Sequence, residues 1–343
     1  MLSTSMVFRK YYRLLLLIFI FGCKPNKKIE VQQLNGYALG TSYSITFTSA
    51  KLKKKILAPQ IDSIIGIINA SMSTYLDNSD ISKINKGDSL LQVDLHFQNV
   101  YHTASNVWKK TSGYFDPTVG ALVNAYGFGP HSNLNNISEV DKDKILLYTG
   151  WDKTILTSKN TIQKKHPKVY FDFNALAKGY TVDLIAEHLR ENQILSFLVE
   201  IGGEIVAQGV SSKTNEPWKV AIDDPNQLGV RKYIQVINLN DQALATSGNY
   251  RKFKVDEVTG KRLVHSINPK TGNPFPTKVI SASVIAPTCM IADAYATALM
   301  VMPFEESKAL IEREKELEAF WIIESETGLE KKYFSPGFPK NHE

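Results

Sequence analysis

Four stretches of this 343-residue chain join residue types that can do chemistry. In Ser281–Met302, Asp293 and Thr297 interrupt a largely apolar run. They are four apart, so on a helix both oxygens project from one face, one turn apart. A buried carboxylate is costly unless it is paired or holds a metal. Hard oxygen ligands suit Mg2+, which keeps positions open for water and substrate phosphate. A plainer arrangement also satisfies the pattern, with Asp293 bonded to nearby backbone and Thr297 packing.

Asp172–Asp183 passes from a strand into a helix, with Lys178 near the first turn. A cation there opposes the helix dipole, and the placement makes sense if Lys178 and the free N–H groups converge on a phosphate. The alternative is a lysine whose charge reaches solvent. Thr111–Gly129 puts Asp116, Pro117 and Thr118 between glycines and the aromatics Tyr114, Phe115, Tyr126 and Phe128. Such a segment offers polar contacts and flat apolar surface to a ligand, or else turns over a core edge. His265 closes a strand before a Pro and Gly turn in Arg262–Pro274. An imidazole there can take a proton from an attacking hydroxyl near neutral pH, or it is structural.

The elements that must position these groups can be read from periodicity. Tyr43, Ile45 and Phe47 alternate as a strand. Ile61, Ile64, Ile65 and Ile68 fall at helical spacing, with Pro59 expected in the first turn. Ser79 is placed to cap a helix carrying Ile81 and Ile84, and a third helix is expected from Phe97 to Lys110, ended by Gly113. Strands are expected at Lys168–Phe171, Phe197–Ile201, Trp218–Ile222, Tyr233–Ile237 and Val279–Ile285, and helices at Leu176–Glu191 and Met290–Met302. Helices early, and strands mixed with helices later, predict an α+β or mixed α/β fold in a single catalytic unit.

The ends set the compartment. Arg9, Lys10 and Arg13 precede an apolar run, Leu14–Phe21, that closes on Gly22-Cys23. The run is far short of the roughly 20 residues of a spanning helix, so residues 1–22 read as a secretory signal. Ile20–Cys23 resembles a bacterial lipobox, which implies a diacylated Cys23, a tether over residues 23–35, and anchorage to a membrane facing the periplasm. A catalytic unit over 36–330 and a C-terminal tail over 331–343 complete the expected organisation. The only other cysteine is Cys289, so no disulfide is expected. The formal charge of +6 would fall to about +3 without the signal, and no basic stripe interleaved with aromatics argues for nucleic acid. Lys51, Lys53, Lys54 and Lys55 read as a solvated approach to a helix.

Eight pieces in order resemble the ApbE family of FAD:protein FMN transferases: Leu39–Ile45, Met72–Asn85, Phe115–Thr118, Asp172–Asp183, Glu200–Ile205, Thr246–Tyr250, the His265 segment, and Ala292–Thr297. The resemblance implies that Tyr75 lies against the isoalloxazine. It assigns Tyr114, Phe115, Asp116, Thr118, Asp172, Lys178, Gly202, Gly203, Ser247, Gly248 and Ile267 to the FAD site. It gives Mg2+ the ligands Ala175 (carbonyl), Asp293 and Thr297, and makes His265 the base that deprotonates a threonine or serine hydroxyl of a client protein. That oxygen would attack the FMN-side phosphorus and AMP would leave. With water as acceptor the same site would hydrolyse FAD to FMN and AMP, and a non-catalytic FAD-binding lipoprotein is a third expectation. Glu200, Asn268 and Pro303 stand where the family often has asparagine, aspartate and glycine. Asn268 removes a charge near the proposed base.

Overall fold

The computed structural model describes residues 30–49, 52–130, 137–226, 231–250, 253–255, 260, 262–274 and 276–339. The signal segment, Cys23 and the start of the expected tether lie outside the described residues. Glu30–Asn35, also read as tether, belong to a strand: β1 (Glu30–Ala38) pairs along its whole length with β2 (Thr41–Ser49). Its polar sequence hid it, because β1 is an edge strand held by ladder hydrogen bonds more than by an apolar face. Gln32 also explains why α1 (Lys54–Met72) starts early. Its side-chain oxygen accepts from the Lys54 N–H at 2.8 Å, so Pro59 falls in the second turn and not the first. The buried stripe Leu57, Ile61, Ile65, Ile68 and Met72 follows helical spacing.

Local caps set the next helices. Ser79 Oγ accepts from the Ser82 N–H to start α2 (Asp80–Asn85), and Asp94 accepts from the Phe97 N–H at 2.7 Å to start α3 (Leu95–Lys110). Short helices α4 (Gly120–Ala125) and α5 (Glu139–Leu146) follow, then the small hairpin of β3 (Thr154–Leu156) and β4 (Ile162–Lys164). The strand expected at Lys168–Phe171 does not form. Tyr170 makes a single bridge to Val119, and Phe171 gives its N–H and C=O to the Asn85 side chain at 2.7 and 2.9 Å. That side chain does the work a neighbouring strand would do.

The rest of the chain builds the sheets around α6 (Asn174–Glu191). In order come β5 (Phe197–Ile201), β6 (Glu204–Gln208), β7 (Val210–Ser211), β8 (Glu216–Asp223), β9 (Tyr233–Leu239), β10 (Gln242–Gly248), β11 (Phe253–Val255), β12 (Arg262–Val264) and β13 (Val279–Ala286). Then follow α7 (Cys289–Val301), α8 (Phe304–Arg313), β14 (Glu318–Glu324) and β15 (Glu330–Phe334). Eight strands form one antiparallel sheet, β1-β2-β5-β6-β10-β13-β14-β15. The described part of the expected tail, residues 331–339, therefore belongs to the fold: β15 closes one edge, and Phe338 is buried against Phe320 and Phe334.

Strand alternation sends side chains to the two faces of the large sheet. Phe197, Val199, Ile201, Val206 and Ala243 face α1 and α6. Ile205, Ala207, Leu244, Ile285 and Phe320 face the three-stranded sheet β7-β8-β9 through Trp218, Val220, Ile222, Ile237 and Leu239. The molecule is thus layered, helices on one face of the large sheet and a small sheet on the other, as the α+β reading predicts.

Candidate active site

The groups that could do chemistry gather where α6 crosses α7 on the helical face. The crossing is close because residue 179 is glycine: a Cβ there would stand 2.4 Å from the Cys289 carbonyl oxygen and 2.8 Å from the Met290 Cα. Asp183, one turn further along α6, accepts from the Cys289 and Met290 N–H groups at 2.7 and 2.9 Å and fixes the start of α7. Burial pushes the Asp183 carboxyl up to about 6 despite those two bonds.

Clamped in this way, Asp293 in the second turn of α7 meets Lys178 of α6. The Lys178 ammonium donates to Asp293 Oδ2 at 3.2 Å, and the Gly179 N–H reaches the same oxygen at 3.3 Å. On its other side the ammonium lies 3.1 Å from Glu204 Oε1, at the start of β6. Both carboxylates are almost fully buried, Asp293 at 2% and Glu204 at 4% exposure. Burial opposes the charge on Lys178, but the two carboxylates outweigh it and hold its pKa above the ordinary lysine value. Burial pushes the Glu204 carboxyl well above its usual range, with Lys178 pulling the other way. Lys178 therefore does not simply reach solvent, and Asp293 is paired with a lysine as well as with backbone.

Thr297 follows one turn along α7, with its hydroxyl 3.4 Å from the Ser247 hydroxyl at the end of β10. Ala175 lies in the first turn of α6, one turn before Gly179. Beside this cluster the β5–β6 connection turns through Gly202 and Gly203 at φ +65° and +107°, a left-handed region that glycine adopts without strain. Glu200 closes the turn by accepting from the Gly203 N–H at 2.7 Å. Gly248 follows Ser247 on β10.

These donors fit a hard cation. Among the described residues no hydrogen bond reaches Asp293 Oδ1, and the nearby donors are hydroxyls and a first-turn carbonyl. No group of three or more His, Cys, Asp or Glu suited to a metal occurs among the described residues. A cation here would bind weakly until its ligand supplied further oxygens.

His265 and Ile267 sit in the loop after β12, docked on the carboxyl end of α7. Asn268 Nδ2 donates to the Val301 carbonyl at 3.5 Å, and Thr277 Oγ1 donates to the Met300 carbonyl at 2.9 Å. Asp293 and Val301 are eight residues apart, about 12 Å along the helix axis, so α7 is the ruler between the carboxylate cluster and the histidine. Ile267 is buried, and the Phe128 ring stands edge-on to His265 at 6.4 Å.

The aromatic and acidic residues expected near a flavin divide into two sets. Tyr75 is 60% exposed and presents its ring at the surface. Its pKa is raised by partial burial, then by the charges of Asp172 and Tyr170, which places it beside the start of α6. Asp172 accepts from the Asn174 N–H at 2.8 Å in the turn that leads into that helix. Tyr114 carries the Lys270 ammonium 3.7 Å above its ring.

Phe115, Asp116 and Thr118, in contrast, point into the core. Asp116 accepts from the Thr118 N–H and hydroxyl at 2.8 and 2.6 Å and from the Trp151 N–H at 2.8 Å, and Thr118 Oγ1 accepts from the Gly150 N–H at 2.7 Å. Their polar atoms knit the loop together and face away from solvent. The loop can shape a site without lending it those atoms.

Sequence reasoning missed two polar residues. Glu204 lies within the quoted Glu200–Ile205 piece, where its position next to the glycine turn was the available signal. Asn249 follows Gly248 and is buried with neither amide atom bonded. Its backbone carbonyl accepts from Arg262 at 2.9 Å, which ties the end of β10 to the strand before His265. On the opposite face of the sheet a cavity of about 460 Å³ is lined by Ser44, Thr46, Glu200, Gly203 and Thr246. It shares the Gly202–Gly203 turn with the surroundings of the carboxylate cluster.

An antiparallel sheet backed by two clamped helices, with a lysine between buried carboxylates at their crossing, defines the class. The sequence profile of the ApbE family matches residues 39–321, and the chain belongs to that family. It is 36% identical over 319 residues to the FAD:protein FMN transferase of Haemophilus influenzae, covering 88% of this chain and 89% of that one. The FAD:protein FMN transferase of Vibrio cholerae is 34% identical over 327 residues, covering 94% and 95%. The solved structure of the flavin transferase ApbE from Vibrio cholerae superimposes with a TM-score of 0.81 at 33% identity, over 90% of this chain and 98% of that one.

Proposed function

We propose that this chain transfers the FMN half of FAD to a threonine or serine hydroxyl of a client protein and releases AMP. The observation that carries this reading is the meeting of Lys178, Asp293, Thr297 and Ser247 at the α6–α7 crossing, beside a glycine turn that lets a nucleotide backbone approach. Names borne by the relatives supply the reaction, and the cluster supplies a place for its diphosphate.

Ala175, Asp293 and Thr297 would hold Mg2+, which when bound would neutralise charge developing on the diphosphate oxygens. Lys178 adds a fixed positive charge next to Asp293 and orients the phosphates. Tyr75 offers the exposed ring for the isoalloxazine, with Tyr114 as a further aromatic surface and buried Ile267 backing the loop. His265 takes the proton of the attacking hydroxyl. The oxygen–phosphorus bond to the client forms as the bond to the AMP oxygen breaks. The anchor proposed for the protein is a lipid on Cys23, on the periplasmic side of a bacterial membrane. No helix among the described residues is long and apolar enough to cross one.

Incubation with FAD, Mg2+ and a flavinylation-domain client, followed by gel fluorescence, tests the reading. Covalent flavin on the client is expected. Free FMN and AMP without labelling would favour hydrolysis, and intact FAD bound without turnover would overturn the catalytic reading.

A further inference from the structure

We propose that Glu204 is a positioning residue for the cation site: it draws the Lys178 ammonium onto its own carboxylate, so that Lys178 does not neutralise Asp293 and Asp293 stays available to a divalent cation. This rests on the reading of Asp293 and Thr297 as cation ligands.

An ammonium has three donors, and Lys178 has three acceptors within reach: Glu204 Oε1 at 3.1 Å, Asp293 Oδ2 at 3.2 Å and the Asn174 carbonyl at 3.4 Å. The two carboxylates compete for one cation on nearly equal terms. Glu204 comes from β6 and Asp293 from α7, so their separation is set by the docking of the sheet on the helices. Without Glu204 the ammonium would have one anionic partner in a buried place, and opposite charges there attract strongly. An incoming dication would then have to break a closed ion pair.

The chemistry of Glu204 supports a role directed at Lys178. Its Oε2 is buried with no donor, and the partners of the carboxylate are Lys178 and its own backbone N–H. A buried carboxylate oxygen left unmatched is costly, and a glutamine or an apolar residue would fill the same space more cheaply if packing were the whole requirement. What a glutamine lacks is the charge that offsets Asp293 in the contest for Lys178.

The test is a double-mutant cycle on Mn2+ affinity, measured by electron paramagnetic resonance on the full chain without FAD, with circular dichroism as the folding control. Glu204→Gln is expected to weaken Mn2+ binding about tenfold, the effect of losing one charge-assisted contact. In a Lys178→Met background the same change should alter affinity by less than about twofold, because Glu204 acts through the lysine. Equal factors in the two backgrounds would show a through-space effect of the charge and overturn the proposal. Glu204→Asp keeps the charge but withdraws it by one methylene, so most of the loss should remain. Wild-type affinity in that variant would also overturn it, and it decides the matter if Glu204→Gln fails to fold. A wild-type protein that binds no Mn2+ would refute the cation reading itself, a different outcome from binding with additive variants.

Discussion

At the residue scale, the proposed chemistry divides between a carboxylate that would hold a cation and a histidine that would move a proton. Asp293→Ala removes the carboxylate whose second oxygen takes no hydrogen bond among the described residues. FAD turnover in Mg2+ is expected to fall by at least about a hundredfold, with the residual rate insensitive to added metal. Initial rates over a Mg2+ titration check this, and an unchanged metal response would remove Asp293 from the site. His265→Ala should bind FAD as before, because the histidine sits in the loop after β12 and not among the residues of the α6–α7 cluster. Client labelling should drop by about 10²- to 10⁴-fold, the usual contribution of a general base. Flavin fluorescence quenching and gel fluorescence separate the two. Spacing in the sequence was enough to pair Asp293 with Thr297. It could not assign Asp116 and Thr118, whose partners, the Trp151 and Gly150 N–H groups, arrive from 35 and 32 residues away. Nor could it show that Lys178 would be shared by two carboxylates on different elements.

At the element scale, the site exists because α6 and α7 touch. Gly179→Ala places a methyl against the Cys289 carbonyl and should push the helices apart, at a cost of about 1–3 kcal/mol by overpacking. Denaturant unfolding measures the cost, and Mn2+ affinity should weaken with it because Asp293 moves relative to Ala175. Asp183 gives the same crossing a pH dependence. Its folded pKa, about 6, lies above the ordinary aspartate value, so the native state binds the proton more tightly than the unfolded chain. The Asp183 contribution is thus most favourable below pH 4, declines as pH rises through 6, and is constant above that. Asp183→Asn should flatten this part of the stability curve, seen as a wild-type-minus-variant stability that falls between pH 4 and 7. No change in that difference would contradict the assignment. Helices with apolar stripes were legible in the sequence because their burial is periodic. Edge strands β1 and β15 were not, since ladder hydrogen bonds hold segments as polar as EVQQLNGYA and EKKYF.

At the scale of the whole molecule, one large sheet separates two jobs. Its helical face carries the cluster, and its other face buries a second apolar core under β7-β8-β9. The α+β class was readable from the order of patterns, whereas the strand order β2-β5-β6-β10 was not, because it depends on pairings between strands far apart in the chain. The proposed anchor belongs to this scale too. Cys23→Ala should move the protein from the membrane to the soluble fraction on cell fractionation, and retention on the membrane would argue for a different attachment.

The reading as a whole requires a divalent ion and the FAD diphosphate to meet at Asp293. Phosphorus NMR of FAD mixed with the protein, with Mn2+ added in small steps, measures that meeting. Wild-type protein is predicted to broaden both diphosphate resonances well beyond the effect of Mn2+ and FAD alone, and Asp293→Ala to abolish the excess. Equal broadening in wild type and variant would place the ion somewhere else and contradict the account.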